Sequence, residues 1–207
     1  MKQLHVAALA LSLSIVAQSA YGQTCTGQVA IGSGNPALVA ASASFTEGSR
    51  GFDVGVTAGN SLLFGGFTVG RVTSTVVDSS STFYGGVVGA QLAASPSRRA
   101  MICPLFSVFH NAGAGEDNSS TSFAGGASAG FVVSETETFA VVPTVGFSIS
   151  KTRQFEAFGD ASGVVQIGVG LIMNKRFSIT PQVVVPVGIE GAKPIFAVVA
   201  ALGFGGS

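Results

Sequence analysis

Residues Phe139 to Ser150 read FAVVPTVGFSIS. Phe139, Val141, Pro143, Val145, Phe147 and Ile149 fall on one parity; Ala140, Val142, Thr144, Gly146, Ser148 and Ser150 fall on the other. Successive side chains of a β-strand point to opposite faces, so the alternation makes a strand with one oily face and one small, mostly polar face. Similar alternation recurs before and after this segment. Only 10% of the 207 residues are charged and the mean hydropathy is +0.56. The oily faces therefore carry more apolar surface than a soluble domain of this length presents, and lipid is the solvent that accepts it.

Strands rather than helices must do the crossing. The most hydrophobic stretches, Gly163 to Met173 and Ile195 to Phe204, are short and studded with glycine, well below the roughly twenty apolar residues of a spanning helix. A bilayer has no water to satisfy backbone amides, so strands in lipid must close into a barrel. The fold class expected is all-β: a closed antiparallel up-and-down transmembrane β-barrel of about ten strands, with eight the alternative if the first two segments merge or lie outside the wall.

The amino terminus fits export. Lys2 is followed by an apolar stretch, Val6 to Ala17, and by the small-residue site Ala20-Tyr21-Gly22, the order of a secretory signal peptide. Cleavage after Gly22 leaves one domain, residues 23–207. Removing Lys2 from the ten basic residues leaves nine against ten acidic ones, a balance that argues against nucleic acid as a partner.

Clusters of Gly, Ser, Asn, Asp and charge cut the mature chain into ten segments. The strands predicted are Ala37–Thr46, Phe52–Ala58, Leu62–Ser74, Thr82–Ala93, Ala100–His110, Ser122–Val133, Thr138–Ser150, Ser162–Met173, Arg176–Val187 and Pro194–Phe204. Longer connections, Asp78–Ser81, Asn111–Thr121, Lys151–Ala161 and Gly188–Lys193, alternate with short ones at Gly59–Ser61, Ser134–Glu137 and Asn174-Lys175. Long loops outside and short turns inside are expected of an outer-membrane barrel. Glu47–Gly51 is short for an outer loop and Ala94–Arg99 long for an inner turn.

Nearly all charges fall in connections, as they must when Arg or Lys facing mid-bilayer costs about 2–4 kcal/mol. Asp53 and Arg71 are the exceptions. Asp53 shares parity with Thr57 and should point inward near the outer rim, whereas the face of Arg71 is open. Aromatics sort to two levels, as interface girdles do: Phe45, Phe52, Tyr84, Phe123, Phe147 and Phe196 toward the outer rim, Phe64, Phe131, Phe139, Phe177 and Phe204 toward the inner. The chain has no Trp.

With its export signal, its alternating strands and the closing pattern Phe196-x-Val198-x-Ala200-x-Leu202-x-Phe204, the whole mature chain resembles the small outer-membrane β-barrel proteins of Gram-negative bacteria, the porin-like and opacity-like group. The resemblance implies residence in the cell outer membrane, contact with outer-membrane lipid, and recognition of the last strand by the barrel assembly machinery through its terminal aromatic, here Phe204. Gly205, Gly206 and Ser207 extend past it.

Few residues suggest chemistry. Cys25 and Cys103 are the only cysteines; in an oxidising compartment they form either a disulfide that pins the amino-terminal segment to, or into, the barrel mouth, or two free thiols. His110 is the sole histidine left after export, too little for a serine–histidine–acid site or a zinc site. No catalytic residue, metal site or cofactor is expected. Glu116, Asp117 and Asn118 form the most acidic loop without calcium-loop spacing. Gly85-Gly86 and Gly125-Gly126 read as packing features of a curved wall. Phe155 and Phe158, in KTRQFEAFGD, either contact something outside the cell or fold back on the rim; the sequence names no extracellular ligand. Inward Ala124, Gly126, Ser128, Gly130, Gln166, Gly168 and Gly170 are small, so the lumen is expected to have few plugs and a narrow water path. The functions that follow are a structural barrel or weak passage of small solutes, or a recognition barrel displaying its loops. A soluble, lipocalin-like barrel ranks third.

Overall fold

The computed structural model describes residues 24–28, 35–60, 62–74, 79–93, 99–113, 119–154 and 157–205. Ten long strands form the wall: β1 (Ala37–Thr46), β2 (Ser49–Gly59), β3 (Leu63–Ser74), β4 (Ser79–Ala90), β5 (Ala100–Ala112), β6 (Ser120–Phe131), β7 (Phe139–Gln154), β8 (Ser162–Met173), β9 (Phe177–Val187) and β10 (Ile195–Phe204). Each pairs antiparallel with its sequence neighbours. β1 pairs with β10 from Ala37↔Phe204 to Phe45↔Phe196. That last ladder closes the ring, leaving no edge strand among the ten and excluding the eight-strand count. We call the end holding Ala37 and Phe204 inner and the opposite end outer.

Parity sorts the wall as the hydrophobic alternation demands. Outward positions such as Val56, Ile167 and Phe196 are 52%, 58% and 61% exposed, while the inward neighbours Thr57, Gln166 and Ala197 are buried. Outward from the barrel is where an alkyl surface meets hydrocarbon, and inward is where Gly, Ser, Thr and Ala fit a tightly curved wall. Asp53 is inward and buried, and its carboxylate accepts a hydrogen bond from Ser42 Oγ across β1 and β2. Arg71 is outward, between Phe52 and Thr82, three residues from the outer end of β3. Its guanidinium donates to Ser80 Oγ at 2.7 Å.

The strands run further than the turn clusters predict. β2 begins at Ser49, so its connection to β1 is only Glu47-Gly48, with Gly48 at φ 82°. β4 takes in Ser79–Ser81, and β5 continues through Asn111 to Ala112. Lys151–Gln154 extend β7, and Ala157–Phe158 pair back on Gln154–Arg153, so the presumed outer loop is mostly a hairpin. Polar residues there hydrogen-bond their ladders past the bilayer as readily as apolar ones within it, so polarity marks the membrane boundary rather than the strand end. At the inner end, the segments 91–99 and 132–138 are as long as any outer connection and carry the two-residue ladders Leu92–Ala93 with Ile102–Met101 and Ser134–Glu135 with Val141–Ala140. The expected contrast of long outer loops and short inner turns is therefore absent. Asn174-Lys175, both at positive φ (50° and 55°), make the tight turn between β8 and β9.

Candidate functional site

The lumen is where this barrel departs from an open pore. Thr24–Thr26 form one 3-10 turn that packs against β5, β6, β7 and β8. Cys25, Thr26 and Gln28 are 0–1% exposed. Cys25 is bridged to the inward-facing Cys103 of β5, with their Cα atoms 6.0 Å apart. Around the bridge lie inward side chains from β1, β3, β4, β5 and β10: Leu38, Ala40, Phe64, Val87, Met101, Val199 and Ala201. The amino-terminal segment thus touches both sides of the bore.

Two further contacts seat it. Thr180 Oγ1 of β9 donates to Gly27 O at 2.9 Å. Gly27, at φ 76°, lies so close to Gly170 of β8 that a β-carbon on either residue would overlap the other's backbone. Backbone meets backbone here because neither residue has a side chain. The smallness of Gly170, expected to widen a water path, instead makes room for chain.

Above this segment the lumen is polar. Gln166 Nε2 donates to Gln182 Oε1, and Ser128, Thr144 and Ser148 line the same arc. Among the described residues, Ser128 Oγ, Thr144 Oγ1, Thr57 Oγ1 and Gln182 Nε2 are buried with no protein partner, the kind of groups that internal water satisfies. The cavity beside Ser128, Ser148 and Gln166 is about 10 Å³, room for a single water rather than a hydrated solute.

Three inward phenylalanines fill the opposite arc. Phe64 stands opposite Gly89, Phe83 opposite Gly70, and Phe109 opposite Gly85, each pair in direct register on neighbouring strands. A β-carbon on any of these glycines would overlap the ring it faces. Phe83 and Phe109 join Val72 in a cluster toward the outer end, while Phe64 joins the cluster around Cys25. Phe64 is therefore not part of the inner aromatic girdle: it shares parity with Thr68 and Gly70, and its ring enters the bore. The expectation of few plugs fails because both the amino-terminal segment and these rings occupy the space that small wall residues leave.

The remaining sequence candidates scatter. His110 lies in β5, as its place at the end of the predicted strand Ala100–His110 implies, and faces outward, with Nδ1 3.2 Å from Thr121 Oγ1 and its ring centroid 5.3 Å from that of Tyr84. Among the described residues no three His, Cys, Asp or Glu side chains gather as a metal site. Phe158 is 58% exposed and packs at 6.3 Å on Phe123 of β6, so this half of the Phe155, Phe158 pair lies back on the wall. Phe155, and Glu116, Asp117 and Asn118, fall outside the described residues, as does the stretch 1–22. The inward rings were discoverable from parity alone; the seat of Gly27 had no signal in the sequence.

No family model matches the chain, and no curated protein does. Solved structures do match. A bacterial polysaccharide outer membrane secretin aligns with TM-score 0.50 at 10% identity, over 75% of this chain and 57% of that one, so the chain spans little more than half of that protein. The KdgM porin aligns with TM-score 0.44 at 10% identity, over 81% and 99%. The amino-terminal β-barrel domain of Pseudomonas aeruginosa OprF aligns with TM-score 0.36 at 10% identity, over 83% and 99%. The chain has the fold of the outer-membrane β-barrel proteins, in a closed ten-strand form with an internal disulfide.

Proposed function

We propose that this is an integral outer-membrane barrel with a structural, non-enzymatic role, whose bore is kept shut to solutes by its own amino-terminal segment. The observation that carries the reading is the burial of Cys25, Thr26 and Gln28 inside the wall, anchored through the bridge to Cys103. Export by the stretch 1–22 and insertion through the last strand, ending in Phe204, accompany the proposal. Weak passage of small solutes, the other half of the sequence expectation, is reserved for a state in which the segment leaves the bore. The loop-displaying alternative is disfavoured by the outer connections, which run from Glu47-Gly48 to segments such as 188–194, too short to build a large recognition surface.

The test is single-channel recording on refolded, oxidised mature protein in planar bilayers. Conductance steps from oxidised wild type would overturn the closed-bore reading. Absence of steps, with steps appearing when residues 23–36 are deleted together with Cys103→Ser, is the expected result.

A further inference from the structure

The segment that fills the bore stands at the start of the exported chain. Cleavage after Gly22, in Ala20-Tyr21-Gly22, leaves Gln23 as the first residue. Gln23 lies outside the described residues, but the next residue, Thr24, opens the 3-10 turn, and a trans peptide bond sets the two Cα atoms about 3.8 Å apart. Only Thr24 separates the new α-amino group from Cys25, which is 0% exposed and bridged inside the wall.

A charge is hard to hold there. Leu38, Ala40, Phe64, Val87, Met101 and Val199 surround the bridge. The strands packed on the turn are β5 to β8. Their inward positions, from Met101 to Asn111, Ser120 to Gly130, Ala140 to Ser150 and Val164 to Gly170, carry no Asp, Glu, Lys, Arg or His. The inward carboxylate among the described wall residues, Asp53, stands on β2 and already accepts from Ser42 Oγ. An ammonium without a carboxylate partner loses more hydration in such surroundings than it recovers, so burial favours the neutral amine. The neutral amine is the nucleophilic form.

Gln23 offers that amine a target in its own side chain. The α-nitrogen attacks the carboxamide carbon Cδ and forms a C–N bond that closes a lactam ring. The carboxamide nitrogen leaves as ammonia, with the proton that the amine gives up, and no other reactant enters. Resting on the closed-bore reading above and on cleavage after Gly22, we infer that Gln23 is a modification site: the mature chain begins with pyroglutamate, an uncharged cap on the segment that fills the bore. Loss of the terminal charge is what lets the segment start inside an apolar cluster.

The experiment expresses the full chain in a Gram-negative host, takes it from the outer-membrane fraction, unfolds it and dimethylates its primary amines before reduction and trypsin digestion. The first peptide then runs from Gln23 to Arg50, the first basic residue after Lys2. Expected is a peptide lighter than its glutamine form by one ammonia and unlabelled at its terminus. An open, dimethylated Gln23 would overturn the inference, and a first peptide starting elsewhere would overturn it through the cleavage. Single-channel recording on the same preparation tells either failure from a failure of the closed bore. Gln23→Ala cannot form the ring and carries an amine into the bore. Reduction of a fully buried bridge requires the segment to leave its seat, so dithiothreitol should reduce the folded variant roughly tenfold faster than wild type, the equivalent of one pKa unit of displaced charge. The ratio of the two rates should fall toward unity above about pH 8, where a free amine is uncharged in or out of the bore. Equal rates at every pH would overturn the inference, because a free terminus would then be no burden.

Discussion

The two faces of one wall follow different rules. On the outward face each residue answers to lipid alone, so Val54, Val145 and Ile167 are interchangeable oily groups whose positions are set by parity. On the inward face each residue answers to a particular partner: Gly89 to the ring of Phe64, Gly170 to the backbone of Gly27, Cys103 to Cys25. The outward face is therefore tolerant and additive, and the inward face specific and coupled. The contrast can be broken at several points.

The largest effect is expected at the bridge. Cys25 and Cys103 are separated by 78 residues, and closing a loop of that length in the unfolded chain is worth about 4–5 kcal/mol in the entropy model. Cys25→Ser/Cys103→Ser should lose about that much in urea unfolding from detergent micelles, yet still insert, because its lipid face is untouched. A loss below about 1 kcal/mol would mean the segment is held by packing alone.

On the lipid face the matching break is Val145→Arg, in the middle of the β7 apolar run and 52% exposed. It should cost about 2–4 kcal/mol by the depth scale for Arg, measured by the same unfolding in bilayers. A loss below about 1 kcal/mol would mean that Val145 does not meet hydrocarbon.

What was legible in the sequence divides along the same line. Period-two alternation needs only neighbours in the chain, so all ten strands and the outward facing of Phe45, Phe52, Tyr84 and Phe196 could be read from it. Strand ends were misplaced at Ser49, Ala112 and Gln154, because there the ladder continues after the hydrophobicity stops. The lumen was legible only in part. Small inward residues were visible, but small residues leave space without saying what fills it. The occupant is Cys25-Thr26-Gly27, which has no period, and its one signal was the paired cysteines.

Coupling on the inward face gives a sharper, smaller test. A β-carbon at Gly89 would meet only ring atoms of Phe64 among its nearest neighbours, so Gly89→Ala should cost about 1–3 kcal/mol as overpacking does. Combined with Phe64→Ala, the added methyl should cost nothing further, giving a coupling energy of about 1–3 kcal/mol in a double-mutant cycle. Additive losses would show that the ring does not sit where the register places it.

The smallest effect belongs to neither face. At the inner turn between β2 and β3, Asn60 Oδ1 accepts from the backbone N–H groups of Leu62 and Leu63, both at 2.8 Å, while Asn60 N–H donates to Leu63 O at 2.8 Å. The side chain stands in for a turn of backbone, which is why Asn suits the position. The site is exposed, so water replaces the lost acceptor and Asn60→Ala should cost only about 1 kcal/mol in unfolding. Asn60→Asp, which keeps the accepting oxygen, should recover most of it. If both substitutions cost the same, the turn is held by the flanking ladder of β2 and β3 and the side chain adds nothing.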